Sequence, residues 1–311
     1  MNITTGLIAP LEGIQHAPKT LTRKTAPGQA FLSGWRRHDD GVSHTVIANW
    51  PAHHPFYTSH KGHYHPLLLT ETIRQSLALL SHVAHDIPLD FRLGWESYDS
   101  SVVPAAMRTR SAPAAVRLTV THTEVERHRL GSVRLATQIT ATRDGEPLGI
   151  ARVRYTAHPP AIYDRLRGAY ADAQTSTARA LPLGPALDDA TRGRQTSLDD
   201  AVLSPLGESH RWQLRVNTAN RSFFDHAHDH IPGLVFLEAA AQAAQALSGA
   251  AQTVPTEFDA RFVRYVELDS PCWVEATPLR RSRSGAVRTK VTGRQTGKEV
   301  FSVHVTALEH A

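Results

Sequence analysis

Hydrophobic positions fall into the same order twice along the chain. In the first half an extended apolar stretch, Val42–Trp50, leads into a His- and Pro-rich loop (PAHHPFYTSHKGHYHP) and then a helical run from Leu67 to about His85. Alternating, β-branched segments follow around 90–100, 114–126, 130–143 and 148–158, and Arg143-Asp144-Gly145-Glu146-Pro147 marks a hairpin turn. Residues 159–205 then shift to Ala, Asp, Gly, Thr and Ser behind two prolines. They read as a connector, with one short helix around Ala161–Ala173.

The second half repeats the plan. Arg211–Asn217 is extended, FFDHAHDHIPG is a His-rich loop, and Leu234 to about Leu247 is a helix. Strands are expected at 257–268, 272–281, 285–295 and 299–308, with turns at Ser284-Gly285 and Thr296-Gly297. Phe56-Tyr57 and Phe223-Phe224 each begin 15 residues before a glutamate, Glu71 and Glu238. At the same offset of 167, His63 matches His230, Leu67 matches Leu234 and Gln75 matches Gln242. One ancestral unit used twice accounts for this register. The predicted organisation is an α+β protein with a first repeat at 20–158, a connector at 159–205 and a second repeat at 206–311.

The helices direct attention to chemistry. In GLVFLEAAAQAAQALSG the polar residues Glu238, Gln242 and Gln245 form one narrow stripe on an otherwise apolar helix. In LLLTETIRQSLALLSH the matching stripe holds Glu71, Arg74 and Gln75. A carboxylate on a buried helix is costly unless it is paired, and such groups gather at functional sites. A purely structural Glu–Arg pair is the plainer alternative, and the duplication weighs against it.

The histidine loops are less decisive. HAHDH at 226–230 resembles the HxHxDH metal motif of the metallo-β-lactamases but lacks one spacer residue. Only His304 and His310 lie beyond it, so no metal is expected. His53, His54, His60 and His65 lack counterparts in the second half and are expected to be solvated. His226 and His228 remain ambiguous, while His63 and His230 have the repeat behind them.

Composition narrows the class. At 41% hydrophobic and 20% charged, the 311-residue chain is ordinary for a globular protein, and bulk disorder is excluded. A single cysteine, Cys272, excludes intramolecular disulfides and cysteine-rich metal sites. No apolar run is long enough to span a membrane, and the first residues lack a secretory pattern, so a cytoplasmic location is expected. The net charge of +5 suits a phosphorylated metabolite or an acidic carrier protein. Nucleic acid is not an expected partner, because there is no basic run and no recognition motif.

With these residues in hand, a family likeness appears. FFDHAHDHIPGLVFLEAAAQAA resembles the repeat of the A-factor (γ-butyrolactone) biosynthesis family, which reads close to FFDHPxDHxPGMxLLEAARQA. QAFLSGWRRHDDGVSHTVIANWPAHHPFY and HPLLLTETIRQS resemble that family's N-terminal repeat, so the likeness covers nearly the whole chain outside the connector. More distantly, the pattern is similar to the hydroxyacyl-carrier-protein dehydratases.

The resemblance implies a tandem (double) hotdog, each unit a long central helix wrapped by a curved antiparallel sheet. It also implies an acyltransferase that moves a β-ketoacyl group from acyl carrier protein to the hydroxyl of dihydroxyacetone phosphate, a phosphorylated small-molecule acceptor. The ester then cyclises toward a butenolide. No cofactor is implied, and a homodimer is left open. The family's helical glutamates and arginine carry over onto Glu71, Arg74 and Glu238. Where the second repeat of the family has arginine, this chain has Ala241, and the family's basic residue near the start is matched only approximately by Arg23-Lys24.

By analogy with hotdog relatives, Glu71 and Arg74 are expected to face the 225–230 loop, and Glu238 and Gln242 the 59–65 loop. The first pairing is expected to be the working site. Catalytic candidates are Glu71, Arg74, Glu238, His226 and His230, with Glu71 or a loop histidine as base. Binding candidates are His63, Gln75, Gly233 and Gln242, where Gly233 offers helix N-terminal amides to a thioester carbonyl. The rivals are a dehydratase or thioesterase on a carrier-bound substrate, and a non-catalytic acyl-binding regulator.

Overall fold

Each repeat folds around one buried helix. The computed structural model describes residues 13–58, 62–187, 197–250 and 252–310. The first half holds strands β1 (Gln15–His16), β2 (Leu32–Arg37) and β3 (Ser43–Trp50), then helix α1 (Leu67–Val83). Strands β4 (Arg92–Val102), β5 (Ala114–Arg127), β6 (Val133–Arg143) and β7 (Glu146–His158) complete it. The connector carries short helices α2 (Pro160–Arg167) and α3 (Ala173–Ala178). Strands β8 (Leu203–Pro205) and β9 (Arg211–Leu214) precede helix α4 (Gly233–Ser248), and β10 (Gln252–Phe262), β11 (Cys272–Leu279), β12 (Val287–Gln295) and β13 (Lys298–His310) follow it.

The strands among the described residues join one 13-stranded sheet in the order β1-β2-β3-β5-β6-β7-β4-β10-β13-β12-β11-β9-β8. Read outward from the central β4–β10 pair, the two halves have the same order, which is the structural form of the repeat. Local sequence explains the hairpins. Asp144-Gly145 and Thr296-Gly297 both adopt positive φ at their two turn positions, the geometry that a tight β-hairpin needs.

Helix α4 is enclosed because it carries few polar residues, and the buried polar residues of α1 bond inward, the Thr72 and Ser76 hydroxyls to carbonyls of their own helix. Alanines along α4 let the sheet approach closely, and Phe236 stacks on Phe301 of β13 with ring centroids 4.3 Å apart. Gly293 on β12 makes room for that ring, since a Cβ there would lie 2.1 Å from it. Phe56 and Phe223, which share one position in the repeat, meet edge to face at 4.8 Å. The two histidine loops therefore touch at the junction of the halves.

Some expectations change. The strand expected through 268 stops at Phe262, and the chain from Val263 bends away. His54 and His65 are buried rather than solvated. The reason is local: the Nδ1 of His54 accepts the amides of Phe56 and Tyr57 at 3.1 and 3.2 Å, and the Nδ1 of His65 accepts the amide of Leu67 at 3.2 Å, capping α1. His60 lies outside the described residues.

A second histidine cluster is buried between β3, β5 and the end of α1. His85 and His122 have ring centroids 4.2 Å apart, and His44 and His122 5.6 Å. Neither ring nitrogen of His44 has a hydrogen-bond partner. Burial, reinforced by Arg37 and neighbouring histidines, pushes His44 down to about 4. Burial with His85 and His44 pushes His122 down to about 3, and burial with Arg127 and Arg37 lowers His85. These groups titrate near 6.5 when unfolded, so the unfolded chain takes up their protons first. For His44 and His122 this contribution is complete above about pH 6.5 and is lost as pH falls toward 3–4, at about 1.4 kcal/mol per unit of depression. The urea midpoint is therefore expected to drop steeply between pH 7 and 4, and His122→Leu to make that drop shallower. A parallel pH dependence in wild type and variant would rule this out.

Candidate active site

Glu71 sits mid-helix on α1 with 1% of its surface exposed, so its charge must be met locally. Arg74, one turn on, donates Nε to Oε2 and a terminal nitrogen to Oε1, both at 2.8 Å. Gln75 donates to Oε1 at 2.8 Å, and Lys24 Nζ lies 3.1 Å from the same oxygen. Burial alone would raise this carboxyl, but Arg74 and Lys24 outweigh it and hold it at about 2. Glu71 is thus an occupied carboxylate that organises cations, and a poor proton carrier near neutral pH. Burial pulls the Lys24 ammonium down, against the opposing pull of Glu71.

Lys24 arrives on the segment between β1 and β2, which the second half fixes in place. Asp225 of the FFDHAHDH loop accepts the amides of Thr25 and Ala26, the latter at 3.0 Å, and the Thr25 hydroxyl at 2.9 Å. Arg23 adds a third cation. It donates to the carbonyls of Phe91 and Leu89 while its Nε is buried without a partner. Burial, with Arg92 and Arg74 nearby, lowers it to about 10.

These groups line one cavity of about 1110 Å³ between the first repeat's helix and the second repeat's loop. Across it stands His230, whose Nδ1 lies 2.9 Å from Asp229 Oδ1. A carboxylate accepts a hydrogen bond, so the neutral ring carries its proton on Nδ1 and leaves Nε2 as the lone-pair nitrogen. Burial would raise the Asp229 carboxyl, yet His230, Tyr163 and Arg167 hold it well below the usual range. Neighbouring His228 is pushed down to about 3 by burial and by the flanking histidines. His226 stacks on it at 4.4 Å and is lowered for the same main reason.

The cavity brings together Glu71, Arg74, His226, His230 and Gly233 of the expected residues. Gly233 opens α4, and a Cβ there would come 3.1 Å from the Phe262 ring. Gln75, His63, Glu238 and Gln242 do not line it. Gln75 is spent on scaffolding: it accepts from the Phe31 amide at 2.9 Å and donates to the Gln29 carbonyl at 2.7 Å. Gln242 repeats this with the Val202 amide and the Asp200 carbonyl, and donates to Glu238 at 2.8 Å. His63 bridges to Arg108.

Glu238 is met from the first half's loop, as the pairing argument expects, but by His65 Nε2 at 3.6 Å. Sequence reasoning missed Asp225, Asp229, Tyr163 and Arg167. The Asp-His pair at 229–230 was the available signal for Asp229, and nothing in the connector's composition pointed to the last two.

Two tandem helix-in-sheet units with a cavity between one unit's helix and the other's loop define a double-hotdog protein. The profile of AfsA, the A-factor biosynthesis hotdog domain, matches residues 9–159 and 192–309. A 2-oxo-3-(phosphooxy)propyl 3-oxoalkanoate synthase of Streptomyces virginiae is 36% identical over 92% of this chain and 95% of its own length. A synthase of the same name from Streptomyces coelicolor is 33% identical over 91% and 89%. The chain belongs to the A-factor biosynthesis hotdog family. Among solved structures, the pyran synthase domain from module nine of the sorangicin pathway aligns with a TM-score of 0.53 at 13% identity, covering 93% of this chain and all of that domain. A putative oleoyl thioesterase from Lactobacillus plantarum aligns at 0.51 and 11%, over 86% and 96%. At such identities both speak for the fold. Among the described residues, no helix is long and apolar enough to cross a membrane.

Ala241 is buried among Ala239, Ala240, Ala243 and Ala244, beside a Glu238 that is already partnered. Ala241→Arg is accordingly expected to destabilise the protein by several kcal/mol through overpacking and a buried guanidinium. A thermal melt checks this, and an unchanged midpoint would mean that the second helix keeps room for the family's arginine.

Proposed function

We propose that this chain transfers a 3-oxoacyl group from an acyl-carrier-protein thioester to the primary hydroxyl of dihydroxyacetone phosphate, in the route to γ-butyrolactone signalling molecules. The relatives' name describes the product of that reaction, a 3-oxoalkanoate ester of a phosphorylated three-carbon ketone. The observation that carries the reading is one cavity lined by four cations (Arg23, Lys24, Arg74, Arg92), an Asp229–His230 pair and the apolar side chains of Leu77 and Ala78 on α1.

Each part has a task. The cationic corner receives the acceptor's phosphate, with Arg74 oriented by Glu71. His230 Nε2 takes the proton of the attacking hydroxyl, the oxygen bonds to the thioester carbonyl carbon, and amides opening α4 at Gly233 stabilise the oxyanion. Collapse breaks the C–S bond, and the proton on His230 passes to the departing thiolate. Ester and free carrier thiol result, with atoms balanced. The acyl chain lies along α1, and the chain's net positive charge favours an acidic carrier.

A dehydratase would need a carboxylic acid in this cavity to protonate a leaving hydroxyl. Glu71, ionised and fully hydrogen-bonded, does not serve that purpose. Mass spectrometry of a 3-oxoacyl carrier protein incubated with dihydroxyacetone phosphate is expected to give the phosphorylated ester. Release of free acid alone would contradict transfer. In the same assay His230→Gln should lower kcat on the order of 10²-fold or more. Glu71→Gln should cost roughly 10²-fold in kcat/KM by releasing Arg74, whereas Glu238→Gln should cost less than about tenfold. A larger loss at Glu238 would move the working site to the other repeat.

A further inference from the structure

Arg167 ends the first helix of the connector and belongs to neither repeat's core, yet its side chain is only 3% exposed. Every arm of its guanidinium is engaged. Nε donates to Asp229 Oδ2 at 2.9 Å, and one terminal nitrogen donates to the Asp229 carbonyl at 2.8 Å and to Glu267 Oε2 at 2.6 Å. The other donates to Glu267 Oε1 at 2.7 Å. Its Cζ lies 4.4 Å from the centroid of the Tyr265 ring, which in turn packs nearly perpendicular to the His230 ring with centroids 4.8 Å apart. Tyr163, one turn earlier on the same helix, donates its hydroxyl to Asp229 Oδ2 at 2.5 Å.

From these contacts we infer that Arg167, assisted by Tyr163, is the positioning residue of the reaction: it fixes the Asp229 carboxylate and the Tyr265 ring so that His230 is held in one tautomer and one orientation. Two donors on Oδ2 leave Oδ1 for His230 Nδ1, so the carboxylate cannot rotate away. The connector thereby belongs to the active site, which explains why a chain joining two repeats carries an aromatic and a cation buried at that point. This inference rests on His230 being the base.

The test uses Arg167→Met, Tyr163→Phe and His230→Gln in the full chain, assayed as purified folded protein. Arg167→Met is expected to lower kcat by about 10²-fold, the scale of a small misplacement of a reacting group, with KM for either substrate changed little. Tyr163→Phe removes one hydroxyl, leaves Arg167 and Glu267 paired, and should give a smaller loss of kcat, so the test survives if Arg167→Met fails to fold. Nitrogen NMR of His230, assigned by its loss in His230→Gln, should show one tautomer in the wild type and a mixture in the variants. If His230→Gln is inactive while both other variants keep the wild-type kcat and a single His230 tautomer, the inference about Arg167 fails and the reading of the site stands. If His230→Gln itself keeps the wild-type kcat, the site reading fails first.

Discussion

A carboxylate cannot lie in the middle of an apolar helix without partners, and both halves of this protein are built around that constraint. Glu71 and Glu238 occupy the same position of the repeated helix, and both receive an amide from the glutamine one turn on. Each glutamine is held by one backbone amide and one backbone carbonyl from the segment leading into the sheet. To this point the repeats agree. They part at the next position of the stripe, where Arg74 in one half corresponds to Ala241 in the other.

That single difference explains much of the asymmetry. Arg74 and Lys24 make Glu71 the anchor of a cationic corner at a cavity, whereas Glu238 is met inside the protein by Gln242 and His65. The cation-bearing segment from Arg23 to Ala26 is tied down by Asp225 of the opposite repeat. The cavity therefore exists only as the product of both halves. In the proposed reaction the labour divides accordingly: the first repeat would supply charge to bind a phosphate, and the second the Asp229–His230 pair to move a proton.

What was legible in the sequence was local or periodic. The two helices, the hairpins at Asp144-Gly145 and Thr296-Gly297, and the Glu71–Arg74 stripe follow from residue spacing alone. The likeness of FFDHAHDHIPG and its flanks to one family carried the fold and the pairing of helix with loop. What escaped depended on contacts distant in sequence. Tyr163 and Arg167 lie 66 and 62 residues from Asp229, in a stretch whose Ala-, Gly- and Thr-rich composition reads as a spacer. His65 looked solvated because its partners, the amide of Leu67 and the carboxylate of Glu238, appear only once the helices are in place. The strand expected over 257–268 ends at Phe262, and Tyr265 beyond it lines the cavity.

The central claim is that one repeat interface, and not both, takes the phosphorylated acceptor. Calorimetric titration of the protein with dihydroxyacetone phosphate measures this directly. One site per chain is expected, lost in Arg74→Met and weakened as salt screens the cationic corner. Two equivalent sites per chain, or one site that survives Arg74→Met unchanged, would contradict it.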